Sequence, residues 1–180
     1  MRALVVYESM YGNTHTVASN IADGLRATHE VTLVPVADAT AELVASADLL
    51  VAGAPTHMHG LPRAATRRMA ADRAGKTASD LWVDPAVLGP GLRDWLHGIG
   101  AGHALAAAFD TRVNGVPLFT GRASRSIGRL LKRHGYRLIV EPESFLVGGQ
   151  NTLLEGEASR ARSWGAALGT AARDIPALAG

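Results

Sequence analysis

Short apolar runs alternate along this chain with segments whose apolar residues recur at helical spacing, and this alternation constrains the fold more than any other feature. The first run, residues 2–7, has five apolar residues in succession and stops at a glutamate. A short run bounded by polar residues predicts a strand buried on both faces of a sheet. Residues 14–25 then repeat apolar side chains on one helical face. Strands that alternate with helices predict a parallel sheet covered by helices on both faces.

The same alternation continues to the end of the chain. Further strands are predicted at residues 30–36, 47–53, 103–109 and 138–147, and the last is expected to break at Pro142. Helices are predicted at residues 41–45, 62–73, 92–96, 122–134 and 155–172. Residues 74–102, apart from the short helix within them, are rich in glycine and proline and predict irregular structure. Since no repeat or linker divides the sequence, we expect one domain over residues 1–180.

Composition narrows the possible classes of function. The chain has no cysteine, which excludes disulfides, zinc–cysteine sites, iron–sulfur ligation and thiol catalysis. Hydrophobic residues make up 47% of the sequence, enough to bury a sizeable core. No apolar stretch approaches the roughly 20 residues that span a bilayer, and the run after Met1 is too short for a secretory signal. We therefore expect a cytoplasmic protein.

The loop after the first predicted strand carries the strongest functional signal. Residues 9–14 place three hydroxyl groups, one side-chain amide and one glycine directly before a helix. The first amides of a helix lack intrahelical acceptors and carry positive dipole character, so this position favours a phosphate group. Gly12 can adopt a positive φ and allows close approach of the backbone to a ligand. A capped helix without a ligand needs only one such residue, so the loop predicts a phosphate site.

The same loop resembles a known motif. Its sequence Ser9-Met10-Tyr11-Gly12-Asn13-Thr14 is similar to the phosphate loop of bacterial flavodoxin-domain proteins, T/S-x-T/S-G-x-T, with Tyr11 in place of a small hydroxyl residue. Residues 54–57, 109–112 and 143–147 look like other segments of that family. The resemblance implies an α/β flavodoxin-like three-layer sandwich, with a five-stranded parallel sheet of order 2-1-3-4-5 and helices on both faces. It also implies flavin mononucleotide (FMN) as the cofactor.

The resemblance assigns cofactor contacts to three segments. Around the FMN phosphate it puts Ser9, Met10, Tyr11, Gly12, Asn13 and Thr14. Along one side of the isoalloxazine ring it puts Pro55, Thr56, His57, Met58, His59 and Gly60. Thr111 and Arg112, expected after the fourth strand, would line the other side of the ring or its pyrimidine edge. Arg112 either approaches the ring in this way or pairs with Asp110 and points away from it.

The implied function is redox chemistry at FMN, with the protein supplying binding, orientation and tuning of the potential. The protein would transfer electrons to a redox partner protein, or reduce a small acceptor such as a quinone, and the sequence leaves both open. No side chain is required as an acid or base, so no catalytic residue is expected. Flavodoxins are usually strongly acidic, whereas this chain has a net charge of +2. They also commonly place aromatic rings against the flavin, where this chain has His57 and His59.

Positive charge is concentrated in the middle of the chain. Residues 61–137 contain 13 basic and 5 acidic side chains. At 100° per residue, one third of the helix 122–134 carries a basic face; its members are Arg122, Arg125, Arg129, Lys132 and Arg133. This face is either simply solvated or docks an acidic partner or an anionic substrate. Nucleic acid is not expected, because no aromatic residues interleave the charges. An alternative hypothesis is a flavin-free binding module of the same fold that acts through this helix.

Two weaker motifs in the sequence do not predict a binding site. His57 and His59 are spaced for a shared metal ion, but no third ligand accompanies them, so no metal is expected. The segment Gly75-Lys76-Thr77 ends like a nucleotide-binding P-loop but has Ala70 at the required first glycine, with no strand before it.

Overall fold

The computed structural model describes residues 1–57, 59–69, 89–116, 120–149 and 151–175. Several predictions concern residues outside these ranges. They are the contact assigned to Met58, the part of the 62–73 helix beyond residue 69, the irregular structure expected at 74–88, and the segment Gly75-Lys76-Thr77.

Strands and helices alternate as predicted. The strands are β1 (Arg2–Tyr7), β2 (Glu30–Pro35), β3 (Leu49–Pro55), β4 (Leu105–Val113), β5 (Arg137–Leu138) and β6 (Glu143–Val147). The helices are α1 (Asn13–Leu25), α2 (Ala41–Ser46), α3 (Leu92–Gly98), α4 (Ala123–Arg133) and α5 (Glu157–Asp174). A 3₁₀ turn spans Val36–Asp38, and residues 64–69 are helical. None of the helices in the described ranges combines the length and apolar character needed to cross a bilayer.

The strands form one parallel sheet of order β2-β1-β3-β4-β5, which confirms the predicted order. The predicted break in the last strand is also confirmed, since β5 and β6 pair separately with β4. The Ile139 amide still donates to the Ala106 carbonyl at 3.0 Å. Pro142 then has no N–H to offer, and pairing resumes at Glu143 opposite Phe109.

Alternate strand residues feed two apolar cores, one on each face of the sheet. The first contains Phe109 and Phe145, packed edge to face beneath α1 and α5. The second lies under α3 and α4. Helices α1 and α5 pack backbone to backbone, because a Cβ at Gly24 would collide with the Arg162 carbonyl and one at Gly165 with the Ile21 carbonyl.

Two strands end later than predicted, and this corrects the position of three site residues, Pro55 in β3 and Thr111 and Arg112 in β4. Strand β3 continues to Pro55 and β4 continues to Val113. Thr111 and Arg112 therefore lie within β4 and not in a loop after it. The polar sequence suggested a loop, but β4 has partners on both sides: Thr111 lies opposite Pro55 of β3 and Phe145 of β6. The paired neighbours keep the backbone extended despite the polar side chains.

Candidate functional site

The three predicted segments meet at the carboxyl edge of the sheet. They surround a cavity of about 200 Å³. Its predicted lining residues are Met10, Tyr11, Asn13, Thr14, Pro55, Thr56, His57, Thr111 and Arg112, and Val113, Val147 and Asn151 complete it. Four further predicted residues do not line the cavity but belong to the turns that carry lining residues: Ser9, Gly12, His59 and Gly60. The cavity is smaller than the roughly 300–1,000 Å³ of a site that encloses a drug-sized ligand, so a flavin here would extend into solvent.

The loop after β1 presents an uncompensated helix N-terminus to this cavity. Gly12 is the N-cap residue of α1 and has φ of 86°, the left-handed conformation expected from the sequence. Its amide donates to Ser9 Oγ at 3.1 Å, which folds the loop back on itself. Gly12 has no side chain with which to cap α1, and the first turn of the helix contains no acidic residue. The first amides of α1 therefore suit a phosphate group.

A pair of buried hydroxyls fastens this loop to the sheet. The Oγ1 atoms of Thr14 and Thr111 are 2.8 Å apart, and the two residues are 2% and 3% exposed. One of the two hydroxyls donates to the other, so lone pairs remain for a further contact. Together with the α1 amides they form a neutral donor and acceptor set without a carboxylate. The residues present thus fit the phosphate end of FMN.

A segment after β6 reaches the same cavity and was not predicted from the sequence. The Asn13 side-chain amide donates to the Asn151 carbonyl at 2.8 Å, and Asn151 has φ of 57°. The turn is closed by the Gly148 amide, which donates to the Thr152 carbonyl at 2.8 Å. The sequence points to the loops after three strands, residues 9–14, 54–60 and 111–112, and not to this one. The broken fifth strand also ends at the carboxyl edge, and Gly148 and Gly149 just beyond it were the available signal.

The segment after β3 forms a compact turn. The amides of His57 and Gly60 each donate to the carbonyl of the other, at 2.9 and 3.1 Å, with His59 between them at φ of 71°. The Thr56 amide donates to the Thr111 carbonyl at 2.7 Å, which ties the turn to β4. The turn directs His57 to the cavity and leaves His59 exposed. Among the described residues, no group of three metal-binding side chains is present.

Arg112 lies in the cavity wall and does not pair with Asp110. Its Nη1 donates to the Gly115 carbonyl at 2.9 Å and to Thr120 Oγ1 at 3.1 Å. Its Nε is buried and has no hydrogen-bond partner among the described residues. Asp110 is fully buried and instead accepts from the Ser124 amide at 2.7 Å. The ion pair considered from the sequence is absent here, and the guanidinium offers an unused donor beside the cavity.

A second polar cluster lies behind the loop, on the opposite face of the sheet. Glu8 is 4% exposed and its Oε2 accepts from the Leu92 amide at 2.8 Å. Arg67, also buried, holds Nη1 3.9 Å from Glu8 Oε1. Burial raises the pKa of Glu8, and the Leu92 hydrogen bond and the charge of Arg67 offset part of that effect. This cluster was not predicted, because a buried arginine cannot be recognised from a single sequence.

Comparisons with known proteins agree with this architecture. The family model for flavodoxins matches residues 5–113. The fold is similar to an archaeal flavodoxin, with 16% identity, coverage of 96% of this chain and 99% of that chain, and a TM-score of 0.65. It is also similar to oxidised Flavodoxin 1 from Bacillus cereus (19% identity, coverage 98% and 100%, TM-score 0.64). A WrbA-like flavodoxin from Agrobacterium tumefaciens has 23% identity, coverage of 97% and 99%, and a TM-score of 0.59. Comparison with curated protein sequences gave no match.

Proposed function

Because this chain belongs to the flavodoxin family, whose cofactor is FMN, we propose that it is an oxidoreductase-type electron carrier that exchanges electrons with a partner protein. The observation that carries the proposal is the uncapped N-terminus of α1, which opens beside Thr14 into a cavity with Arg112 in its wall. A scaffold without a ligand has no use for an uncompensated helix terminus that opens into a cavity.

At the phosphate end, we expect the chain to act through neutral donors. The left-handed turn at Gly12 aims the first amides of α1 at the phosphate, and Ser9 fixes that turn from behind. The hydroxyls of Tyr11 and Thr14 and the amide of Asn13 would complete the contacts, with the backbone of Met10 between them. Helix dipole and amides together favour a dianion without any lysine or arginine in the loop.

At the ring end, FMN supplies the redox chemistry and the chain supplies its surroundings. Pro55, Thr56 and His57 would lie along one side of the ring, and Thr111 and Arg112 along the other. His59 and Gly60 belong to the same turn and would set its shape, and the contact assigned to Met58 stays a prediction. The buried Nε of Arg112 would offer the ring a cationic hydrogen-bond donor, which would favour the negative charge that reduction places on a flavin.

The size of the cavity favours an electron carrier over a reductase of a small molecule. About 200 Å³ leaves no enclosed space for a second organic substrate stacked on the ring. An exposed ring edge instead suits transfer of electrons to a docked protein. Reduction of a quinone or similar acceptor is the competing form of the proposal, and steady-state assays with quinones test it directly.

Calorimetric titration of the apoprotein with FMN and with riboflavin tests the proposal. We expect one FMN per chain and an affinity for FMN at least about 100-fold above that for riboflavin, since only FMN completes the α1 terminus. Equal affinities would contradict the phosphate site. Failure to bind either flavin would favour the flavin-free binding module.

A further inference from the structure

We propose that the exposed basic face of α4 docks an electron-transfer protein with an acidic surface. The basic face is defined here as Arg125, Arg129, Lys132 and Arg133, all of them exposed. The inference rests on the proposed function, because it names the partner to which the FMN protein would pass electrons.

No member of the basic face forms an ion pair within the described part of the chain. Elsewhere Arg26 pairs with Asp23, Arg67 approaches Glu8, and Arg160 pairs with Glu143 and Glu157. By contrast, Arg129 donates only to the Arg125 carbonyl and to Ser126 Oγ on its own helix. Four uncompensated cations on three turns of helix create a strong local potential, which a complementary anionic surface would relieve.

The predicted fifth member, Arg122, is not part of this face. Its Nη2 donates to the Pro142 carbonyl at 2.7 Å and its Nε to Ser144 Oγ at 3.0 Å. It therefore has a structural role at the start of α4, where it fixes the bend in the fifth strand. Arg122 thus contacts the segment around Pro142, whereas the four members of the basic face are exposed and form no ion pair among the described residues.

The basic face lies beside a groove, so the surface is concave as well as charged. A depression of about 440 Å³ lies between α4 and the segment that leads from β5 to β6. Gly128, Leu138 and Pro142 form its apolar floor, and three cations of the basic face line it. Glu141 is its one acidic lining residue among those described. An apolar floor beside concentrated positive charge suits a protein surface with exposed carboxylates around a small apolar contact.

The beginning of α4 is tied to the flavin cavity, which makes this location useful. The Ala123 amide donates at 2.8 Å to Oγ1 of Thr56, a cavity-lining residue. At about 1.5 Å of rise per residue, Arg125 lies within the first turn from that contact and Lys132 within roughly 14 Å along the helix axis. A protein that contacts the beginning of the basic face would therefore lie near a residue of the cavity wall.

The experiment uses an acidic plant-type [2Fe–2S] ferredoxin as the probe. Chemical shifts of the ¹⁵N-labelled protein are followed during titration with oxidised ferredoxin at low and high salt. We expect the largest changes on α4 and a loss of affinity of about 30-fold or more between 20 and 300 mM salt. The triple variant R125Q/R129Q/K132Q should weaken binding at low salt by about 10-fold or more. The control R68Q/R162Q/R173Q removes the same charge from exposed sites elsewhere and should weaken it less than about 3-fold.

The outcomes separate this inference from the proposed function. Docking is read by chemical shifts whether or not FMN is bound, so a colourless protein that still binds ferredoxin on α4 contradicts only the proposed function. Equal losses in the two triple variants, or shift changes away from α4, overturn the docking surface. Binding of a 20-base-pair DNA duplex to α4 more tightly than ferredoxin at the same salt also overturns it, in favour of nucleic acid.

Discussion

The two faces of the sheet end differently at the carboxyl edge. A column here means the alternate residues of one strand that point to the same face of the sheet. Toward α1 and α5, the buried column of β4 passes through Phe109 and ends at Thr111 with its hydroxyl. Toward α3 and α4, the column of β1 runs through Leu4 and Val6 and ends in the carboxylate of Glu8. The column of β4 on that face ends in the carboxylate of Asp110. One face thus finishes in neutral hydroxyls and the other in buried acids.

The difference explains which helix terminus is left for a ligand. Glu8 accepts from the first residue of α3 and Asp110 accepts from the first turn of α4, so protein carboxylates compensate both termini. Helix α1 begins at the same edge, but its N-cap residue Gly12 has no side chain and its first turn contains no acid. The same dipole is therefore neutralised internally at two helices and left for an external anion at the third. Separating buried acids from this terminus also spares an incoming phosphate from repulsion.

The largest expected effect comes from the turn that aims α1. Gly12→Val should lower the affinity for FMN by about 100-fold or more, because a β-branched residue resists a positive φ and crowds the phosphate. Titration with FMN measures the effect, with far-ultraviolet circular dichroism as the test of folding. Gly156→Val is the matched control: Gly156 is the N-cap of α5, has φ of 80° and has no neighbouring atoms within 4 Å of an added Cβ. Equal loss of FMN in both variants would contradict the role given to Gly12.

A carboxylate introduced on the hydroxyl face, next to the α1 terminus, tests whether the absence of acids there matters for phosphate binding. Thr14→Asp should weaken FMN binding by about 30-fold relative to Thr14→Asn, since unit charges about 4 Å apart repel by up to roughly 4 kcal/mol at an effective dielectric near 20. The asparagine variant matches the shape of aspartate without its charge. Riboflavin, which has no phosphate, should bind the two variants alike. A similar discrimination for both flavins would mean that Thr14 lies away from the phosphate.

Removing a carboxylate from the acidic face tests its structural role. Asp110→Ala should lower the free energy of unfolding of the apoprotein by about 1.5 kcal/mol, because it leaves the buried Ser124 amide without an acceptor. Asp110→Asn keeps an acceptor oxygen and should cost less than half as much. Urea unfolding of the three proteins provides the measurement. If the alanine and asparagine variants were equally stable, Asp110 would not act as the cap of α4.

Arg112 follows Asp110 by two residues in β4 and lies in the cavity wall, so its replacement tests whether the protein tunes the potential of its cofactor. Arg112→Ala should lower the midpoint potential of the second reduction step of FMN by about 30–60 mV, the equivalent of up to a tenfold change for one electron. The loss of a cation near the reduced, anionic ring is the cause. Arg112→Lys retains the charge and should shift the potential less. Unchanged potentials in spectroelectrochemical titration would leave Arg112 with its contacts to Gly115 and Thr120 only.

Local chemistry made much of this arrangement predictable. The alternation of strands and helices followed from the hydrophobic periods and the broken last strand from Pro142, and Gly12 was expected to have a positive φ. The order of the strands was implied only by the resemblance to flavodoxins. Features that depend on pairing across the sheet were not accessible: the extension of β4 through Arg112, the contact of Asn13 with Asn151, and the burial of Arg67. Each requires knowing which residues become neighbours, which periodicity along one chain does not reveal. The direction of Arg122 likewise depends on the bend at Pro142, beyond what a helical projection describes.

The smallest expected effect on the free energy of unfolding comes from replacing Glu8. The informative quantity is how that effect changes with pH. Burial raises the pKa of Glu8 in the folded protein above the ordinary value of 4.5. Below pH 4.5 the carboxyl is protonated in both the folded and unfolded states, and no penalty arises. As the pH rises from 4.5 through the folded pKa, the unfolded chain releases the proton first, so the contribution of Glu8 to stability falls.

Glu8→Gln removes this titration but keeps an oxygen that can accept from the Leu92 amide. The stability of the variant relative to the wild-type apoprotein should therefore increase with pH above 4.5 and level off above the folded pKa. Each unit by which that pKa is raised contributes about 1.4 kcal/mol to the increase. At neutral pH the net gain should be small, because the Leu92 hydrogen bond and the charge of Arg67 offset part of the rise that burial causes in the pKa of Glu8. Urea unfolding at pH 4 to 8 measures the difference, and a difference independent of pH would show that Glu8 carries its charge without penalty, as an exposed acid does.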